Sequence, residues 1–508
     1  MKHFFAICLV AILCTSTGWA KQEPITEYIS VKGTLKRAYN QAPEGAPINI
    51  KLVMKISESK QYPSGIYYLA DLEGQQTLIP KADLSYIEWA KPESLTEFWQ
   101  QTYLTCHFYE QLAERAKPND LRQEVEAESQ EYLEHLNEII YEDDYIASYV
   151  QGILAKLCGA NVTTSRNGNL NVLIIQSSEP TSFMLPGGNI IVSTGLLFTL
   201  DSEAELAAIL SSEIGHYLYD HQVANVRRAE QRAQRALFWA DVFSSVAYSY
   251  DADFYYNGDW RNLDASFVAD IGSIISLLSI PVVNRLGMNY SEGQEREADR
   301  LAVRILNFTG YPEDALTSAL RKVRDYYQRN RRPEDILRYN SIDDIQQRIE
   351  GKPEPATTPA DRPYLKNTYD VVNFNANLNY TAALYQEAIM LAQKNINNQL
   401  ADSQTYVTLV RSKMALDNTE AVNNECLALL DKADELSSHG APDLDVGKQR
   451  ILLLMRMQKQ SRAVDALQGY MDILTAYKQQ HPADRDERIW IDKELNWAQL
   501  MIQKINKL

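Results

Sequence analysis

At 508 residues the chain is long enough for two or three domains. Its 45% hydrophobic and 23% charged residues form an ordinary globular mixture and exclude a wholly disordered chain. A net charge of -17 and a pI near 5.0 argue against nucleic acid or an anionic membrane surface as a general partner.

Residues 1–20 read as a cleaved secretory signal: Lys2 supplies positive charge, Phe4 to Leu13 form an apolar run, and Gly18-Trp19-Ala20 offers small residues for cleavage. The run is too short to span a bilayer, and Leu13 before Cys14 is too bulky for a lipoprotein signal. These features predict a periplasmic or secreted protein with no transmembrane segment in the mature chain. Cys106, Cys158 and Cys426 then remain. A Cys106–Cys158 disulfide is one reading; three small buried side chains is the favoured one. No C-x-x-C spacing marks a metal or redox site.

Residues 24–91 read as a small β domain. Ile48, Ile50, Leu52, Met54 and Ile56 alternate with mostly polar positions, the period of a half-buried strand. Ile29, Val31 and Leu35 nearly do the same, and Ser64-Gly65 and Glu73-Gly74 punctuate two more strands. Both a small barrel and a sheet packed on the next domain fit this pattern. Residues 92–142 read as a helical connector, in which His107 and His135 receive no role. Ile146, Val150, Ile153, Leu154 and Leu157 then follow helical spacing.

Strands are expected over Asn169–Gln176 and Asn189–Ser193, with Leu185-Pro186-Gly187-Gly188 as the turn between them. Ser202 and Glu205, in capping-box spacing, open a helix that carries Glu213 and His216 and is expected to run to about Phe238. Residues 239–263 look like a surface excursion, and Phe267–Leu286 like a buried helix too interrupted to cross a membrane. A further helix is expected over Ser291–Asn307, ended by Gly310 and Pro312. Pro353, Pro355, Pro359 and Pro363 mark residues 351–378 as a linker. Residues 379–508 are read as a helical repeat, with similar amphipathic stretches starting at Ala383, Ala421 and Ala463. The fold class expected is multidomain α+β: a small β domain, a mostly helical zincin-like domain with a small sheet over 143–350, and a C-terminal tetratricopeptide-like repeat.

The chemistry sits in three pieces. The first is Leu185-Pro186-Gly187-Gly188-Asn189-Ile190-Ile191-Val192, ending at Gly195. The second is Ser212-Glu213-Ile214-Gly215-His216, an H-E-x-x-H motif whose first His is Ser212. The third is Glu295-Arg296-Glu297-Ala298-Asp299. In such a motif two His one helical turn apart hold zinc, and the Glu is the general base. In order and spacing the pieces resemble the zinc metallopeptidases of family 48, the group of HtpX, the CAAX prenyl proteases and the periplasmic β-barrel-assembly-enhancing proteases.

The resemblance covers residues 143–350 and implies roles position by position. His216 and Glu295 would be zinc ligands, Glu213 the general base, and Asp299 a carboxylate that orients a ligand. Asn189, Ile190, Ile191 and Val192 would form the edge strand along which extended substrates lie. Two positions depart from the pattern. Ser212 is a poor zinc ligand beside imidazole, and Tyr339 stands where a later His is expected, ahead of Arg348. Asp220, four residues after His216, is a substitute ligand if the helix continues, whereas His221 is expected to turn away from the site. The function implied is that of an impaired peptidase holding unfolded or extended polypeptide, with envelope proteins as partners through residues 379–508. The rival is an active zinc endopeptidase with a nonstandard ligand set.

Overall fold

The computed structural model describes residues 22–25, 28–56, 62–106, 108–109, 120–162, 168–226, 286–330, 342–354, 361–437, 443–480 and 485–506. The signal segment, the 239–263 excursion, nearly all of Phe267–Leu286, His107 and Tyr339 lie outside the described residues.

The N-terminal strands are β1 (Gln22–Pro24), β2 (Val31–Leu35), β3 (Pro47–Ile56), β4 (Gly65–Leu72), β5 (Gln75–Pro80) and β6 (Ile87–Trp89). They form an antiparallel sheet of order β5-β4-β3-β2-β6, with β1 added to β3. The alternation of β3 is real but broken once. A register shift between Ile50 and Leu52 inserts a bulge, and such an extra residue exchanges the two faces of a strand. Ile48, Ile50 and Val53 therefore join the main core, while Leu52, Met54 and Ile56 pack with Tyr67 and Leu69 on the other side.

After α1 (Leu95–Thr105) and α2 (Asp120–Leu136), helix α3 (Asp144–Leu157) buries Ile146, Val150, Ile153, Leu154 and Leu157, the stripe expected from their spacing. A second sheet holds β7 (Asn171–Ile175), β8 (Ser182–Met184) and β9 (Asn189–Ser193) in the order β7-β9-β8. This corrects the placement of Asn189–Val192 on an edge. β9 runs parallel to β7 and antiparallel to β8, so both of its edges are hydrogen-bonded. The outer strands are β7 and β8, and the three residues of β8 are too few to show a period in the sequence.

The central helix is α5 (Glu203–Leu218), which follows the short α4 (Thr194–Thr199). Ser202 caps α5 by accepting from Glu205 N, and Glu205 in turn accepts from Asp201 N at 2.7 Å. Every residue from Glu205 to Leu218 is buried, so α5 is packed on all sides. The helix stops at Leu218 instead of running to Phe238. Asp220 adopts a left-handed conformation (φ 60°), and the chain turns into α6 (His221–Asn225). Helix α7 (Glu292–Thr309) crosses α5 so closely that a Cβ on Gly215 would lie 2.9 Å from Ala298 Cα. Helices α8 (Ala315–Asn330) and α9 (Ile342–Ile349) complete this layer.

Residues 362–381 are not linker. They form α10 (Arg362–Thr381), with Asp361 as its N-cap and Pro363 in its first turn, a position where proline's missing N–H costs nothing. Tyr364 Oη donates to Leu197 O, and Glu203 N donates to Asp361, which docks α10 on α4 and the start of α5. Beyond it lie α11 (Tyr385–Asn397), α12 (Ser403–Leu416), α13 (Glu420–Leu436), α14 (Leu444–Arg456), α15 (Gln460–Gln480) and α16 (Arg485–Ile505), each packed on the next. One continuous core runs from Ile29 in the N-terminal sheet through α5 to Leu391 in α11. Among the described residues no helix is long and apolar enough to cross a membrane.

Candidate active site

The second and third pieces of sequence meet where α5, α7, α9 and β8 converge, while β9 of the first piece lies one strand away, paired to β8. The loop before β8 is held by side chains. Ser193 Oγ donates to Glu179 O, Thr194 Oγ1 to Ser177 O, and the Tyr326 and Tyr327 hydroxyls of α8 to Ser178 O and Pro180 O. Gly195 permits this, because a Cβ there would lie 2.4 Å from Glu179 O. The loop delivers Ser182 to the site, where its hydroxyl donates to Glu213 Oε1 at 2.9 Å.

Glu213 is buried, and its second oxygen has no hydrogen-bond partner. Burial raises its pKa against the pull of His216, Ser182 and Arg348. Beside it lies a cavity of about 20 Å³, room for about one water molecule. Ser182, Ser212, Glu213, His216, Glu295 and Arg348 form its polar side, and Leu196, Ile209 and Ile345 part of its apolar side.

Ser212 is engaged by charged side chains. Its Oγ lies 3.3 Å from Asp299 Oδ1 and accepts from Arg348 Nη2 at 3.2 Å. The Arg348 guanidinium grips Asp299 through two bonds, Nη2 to Oδ1 at 2.7 Å and Nε to Oδ2 at 3.2 Å. Its Nη1 reaches Glu295 Oε2 at 3.2 Å. Burial would lower the Arg348 pKa, but Asp299 and Glu295 raise it well above the usual guanidinium value. Burial would raise the Glu295 pKa, but Arg348 and then His216 hold it down at about 2. One buried cation thus spans the place between Ser212, Asp299 and Glu295.

His216 lies 3.4 Å through Nε2 from Glu295 Oε2 and stacks on Tyr290 at 3.7 Å. Its Nδ1 lies 3.1 Å from His221 Nδ1, and His221 Nε2 lies 3.4 Å from Glu297 Oε2. This corrects two expectations together. Because the chain reverses at Asp220, His221 turns into the site and Asp220 is not carried one turn on along α5. Burial and the neighbouring His216 push the His221 pKa down to about 3. A neutral His221 that donates to Glu297 through Nε2 must accept at Nδ1.

Glu213, His216, Glu295, Ser212 and Asp299 are therefore brought together as the spacing of their motifs suggested. Ser182, His221, Tyr290 and the central place of Arg348 were not foreseen. The signal for His221 was Asp220, since Asp is among the few non-glycine residues that tolerate the left-handed region. The three cysteines are free thiols.

The sequence model of peptidase family M48 matches residues 146–419. The chain belongs to peptidase family M48. The match extends past α9 across α10 to α12, which fits the docking of those helices on α4 and α5. The chain is 24% identical over 208 residues to the β-barrel assembly-enhancing protease of Yersinia pestis, covering 41% of this chain and 38% of that protein. It is 24% identical over 198 residues to the protein of that name from Escherichia coli K12, covering 38% and 36%. A mitochondrial metalloendopeptidase of Arabidopsis thaliana is 24% identical over 165 residues, covering 32% and 28%. The matched part is thus less than two fifths of each of these relatives. M48 peptidases are zinc metallopeptidases; among the described residues here, no group of three or more His, Cys, Asp or Glu is placed to hold a metal ion.

Proposed function

We propose that this protein is a periplasmic or secreted M48 peptidase-fold protein that has lost peptide hydrolysis and works by holding extended polypeptide. The observation that carries this reading is the Arg348 guanidinium bound to Ser212, Asp299 and Glu295 together. A catalytic zinc needs three protein ligands and an open position. Ser212 offers a neutral hydroxyl already engaged by a cation. Glu295 directs its charge at Arg348, and the two ring nitrogens of His216 already face His221 and Glu295. The residues as placed do not fit zinc.

Polypeptide binding would use β8, an outer strand of the second sheet whose three residues are buried, through backbone hydrogen bonds. Gln222 Nε2 donates to Met184 O on that strand, so an incoming segment would displace it. The tetratricopeptide-like reading of residues 379–508 adds a second surface for envelope partners. The test is Glu213→Gln in a deletion strain under envelope stress, together with suppression of client aggregation in vitro. Both should match the wild type. Loss of either with normal folding contradicts the proposal.

A second reading, a zinc endopeptidase with a nonstandard ligand set, draws support from Glu213. It keeps a raised pKa and an unpartnered oxygen beside the same cavity as His216 and Glu295. This reading predicts peptide cleavage on zinc addition that Glu213→Gln abolishes.

A further inference from the structure

A second cavity, of about 410 Å³, shares Arg348 in its lining with the candidate active site. Arg296, Asp299 and Arg300 line it from α7; Arg348, Glu350 and Lys352 line it from α9 and the residues just after. The charges are unevenly satisfied. Arg348 is held by Asp299 and Glu295, and Arg296 pairs with Glu292 one turn away. Among the described residues Arg300 and Lys352 have no ion pair; Arg300 is exposed and Lys352 half-buried. Burial lowers the Lys352 pKa, and Arg348 adds to the effect, against the pull of Asp299. Glu350 at the rim is the one remaining carboxylate of the lining.

Two unpaired cations from two elements therefore converge on a ligand-sized hollow in a chain whose net charge is -17. We propose that this cavity binds a phosphate group, with Arg300 and Lys352 as its principal contacts. Arginine offers a planar fork to phosphate oxygens and lysine a compact point charge, the pairing that anionic oxygen groups select. The proposal does not depend on whether the active site is alive. The overall negative charge opposes any broad attraction to an anionic surface, so binding rests on this local pair. The phosphate group is free or carried on a lipid headgroup.

The experiment titrates the full mature chain with inorganic phosphate by calorimetry at fixed ionic strength, with sodium chloride as control. In parallel, sedimentation is measured with phosphatidylglycerol and phosphatidylcholine vesicles. Arg300→Gln with Lys352→Gln is the comparison protein; its circular dichroism and unfolding midpoint check the fold. Saturable phosphate binding weakened at least about tenfold in the double variant supports a free phosphate, about the loss of one charge-assisted contact. Sedimentation with phosphatidylglycerol vesicles alone that the double variant loses assigns the lipid headgroup. Equal signals in the two folded proteins, or no saturable response to either probe, overturn the proposal. Should the double variant misfold, the single Lys352→Gln is read in the same way, with a weakening of at least about threefold expected.

Discussion

Replacing Arg348 with Met removes the single cation that Asp299 and Glu295 share. The Arg348 and Asp299 side chains are 8% and 7% exposed, so solvent screens this pair little. Deleting one partner of a buried ion pair costs about 3–5 kcal/mol, because the remaining charge is left uncompensated. Here two carboxylates are orphaned, which argues for the upper half of that range at pH 7. For a domain of this size, about 4 kcal/mol corresponds to a fall in Tm of roughly 8–16 °C. The pH dependence has a definite sign. In the wild type the Glu295 pKa is depressed to about 2, so its stabilisation is complete above the unfolded value and is lost as pH falls toward 2. In Arg348→Met, Glu295 loses the cation that held its pKa down, and protonation relieves it on acidification. The gap between the two proteins should be largest at pH 7 and shrink by pH 4. Urea unfolding followed by tryptophan fluorescence at both pH values measures it. A loss under about 1 kcal/mol at pH 7, or one independent of pH, would refute the ion-cluster argument.

Gly215→Ala should cost about 1–3 kcal/mol in the same assay, because the new Cβ meets the Ala298 backbone and α5 must part from α7. Gln399 and Gln458 end α11 and α14 in the left-handed region, with φ of 56° and 57°. Glycine at either should raise stability by about 0.5–1 kcal/mol, read as a later urea midpoint for the C-terminal helices. Lys448 and Glu494 form a buried pair at 2.7 Å that also takes the Tyr470 hydroxyl. Lys448→Met should destabilise by about 3 kcal/mol, and Lys448→Met with Glu494→Leu should recover most of it.

Local chemistry made much of this fold legible. The helical stripe of Ile146 to Leu157, the capping at Ser202 and the helix opening at Ser291 survive because each depends on neighbours within a few residues. Long-range geometry was harder. The β3 pattern reads as one continuous face, and only the pairing with β4 reveals the bulge at residue 51. β8 is too short to show a period, so β9 was assigned the edge that β8 occupies. The prolines of 351–363 suggested a linker, yet Pro363 opens a buried helix. At the site, Glu213, His216, Glu295 and Asp299 were found through their motifs. Arg348 and His221 were not, because a left-handed Asp220 and the approach of α9 decide their positions.

The central claim is that Ser212 and Arg348 have replaced a metal-binding arrangement. Elemental mass spectrometry of the mature protein, purified without chelators beside Ser212→His, tests it most directly. The account predicts less than about a tenth of an equivalent of zinc in the wild type and several times more in Ser212→His, where a third ligand lets a metal compete with Arg348 for Glu295. About one equivalent of zinc in the wild type would contradict it, and would make His216 and Glu295 true ligands despite Arg348.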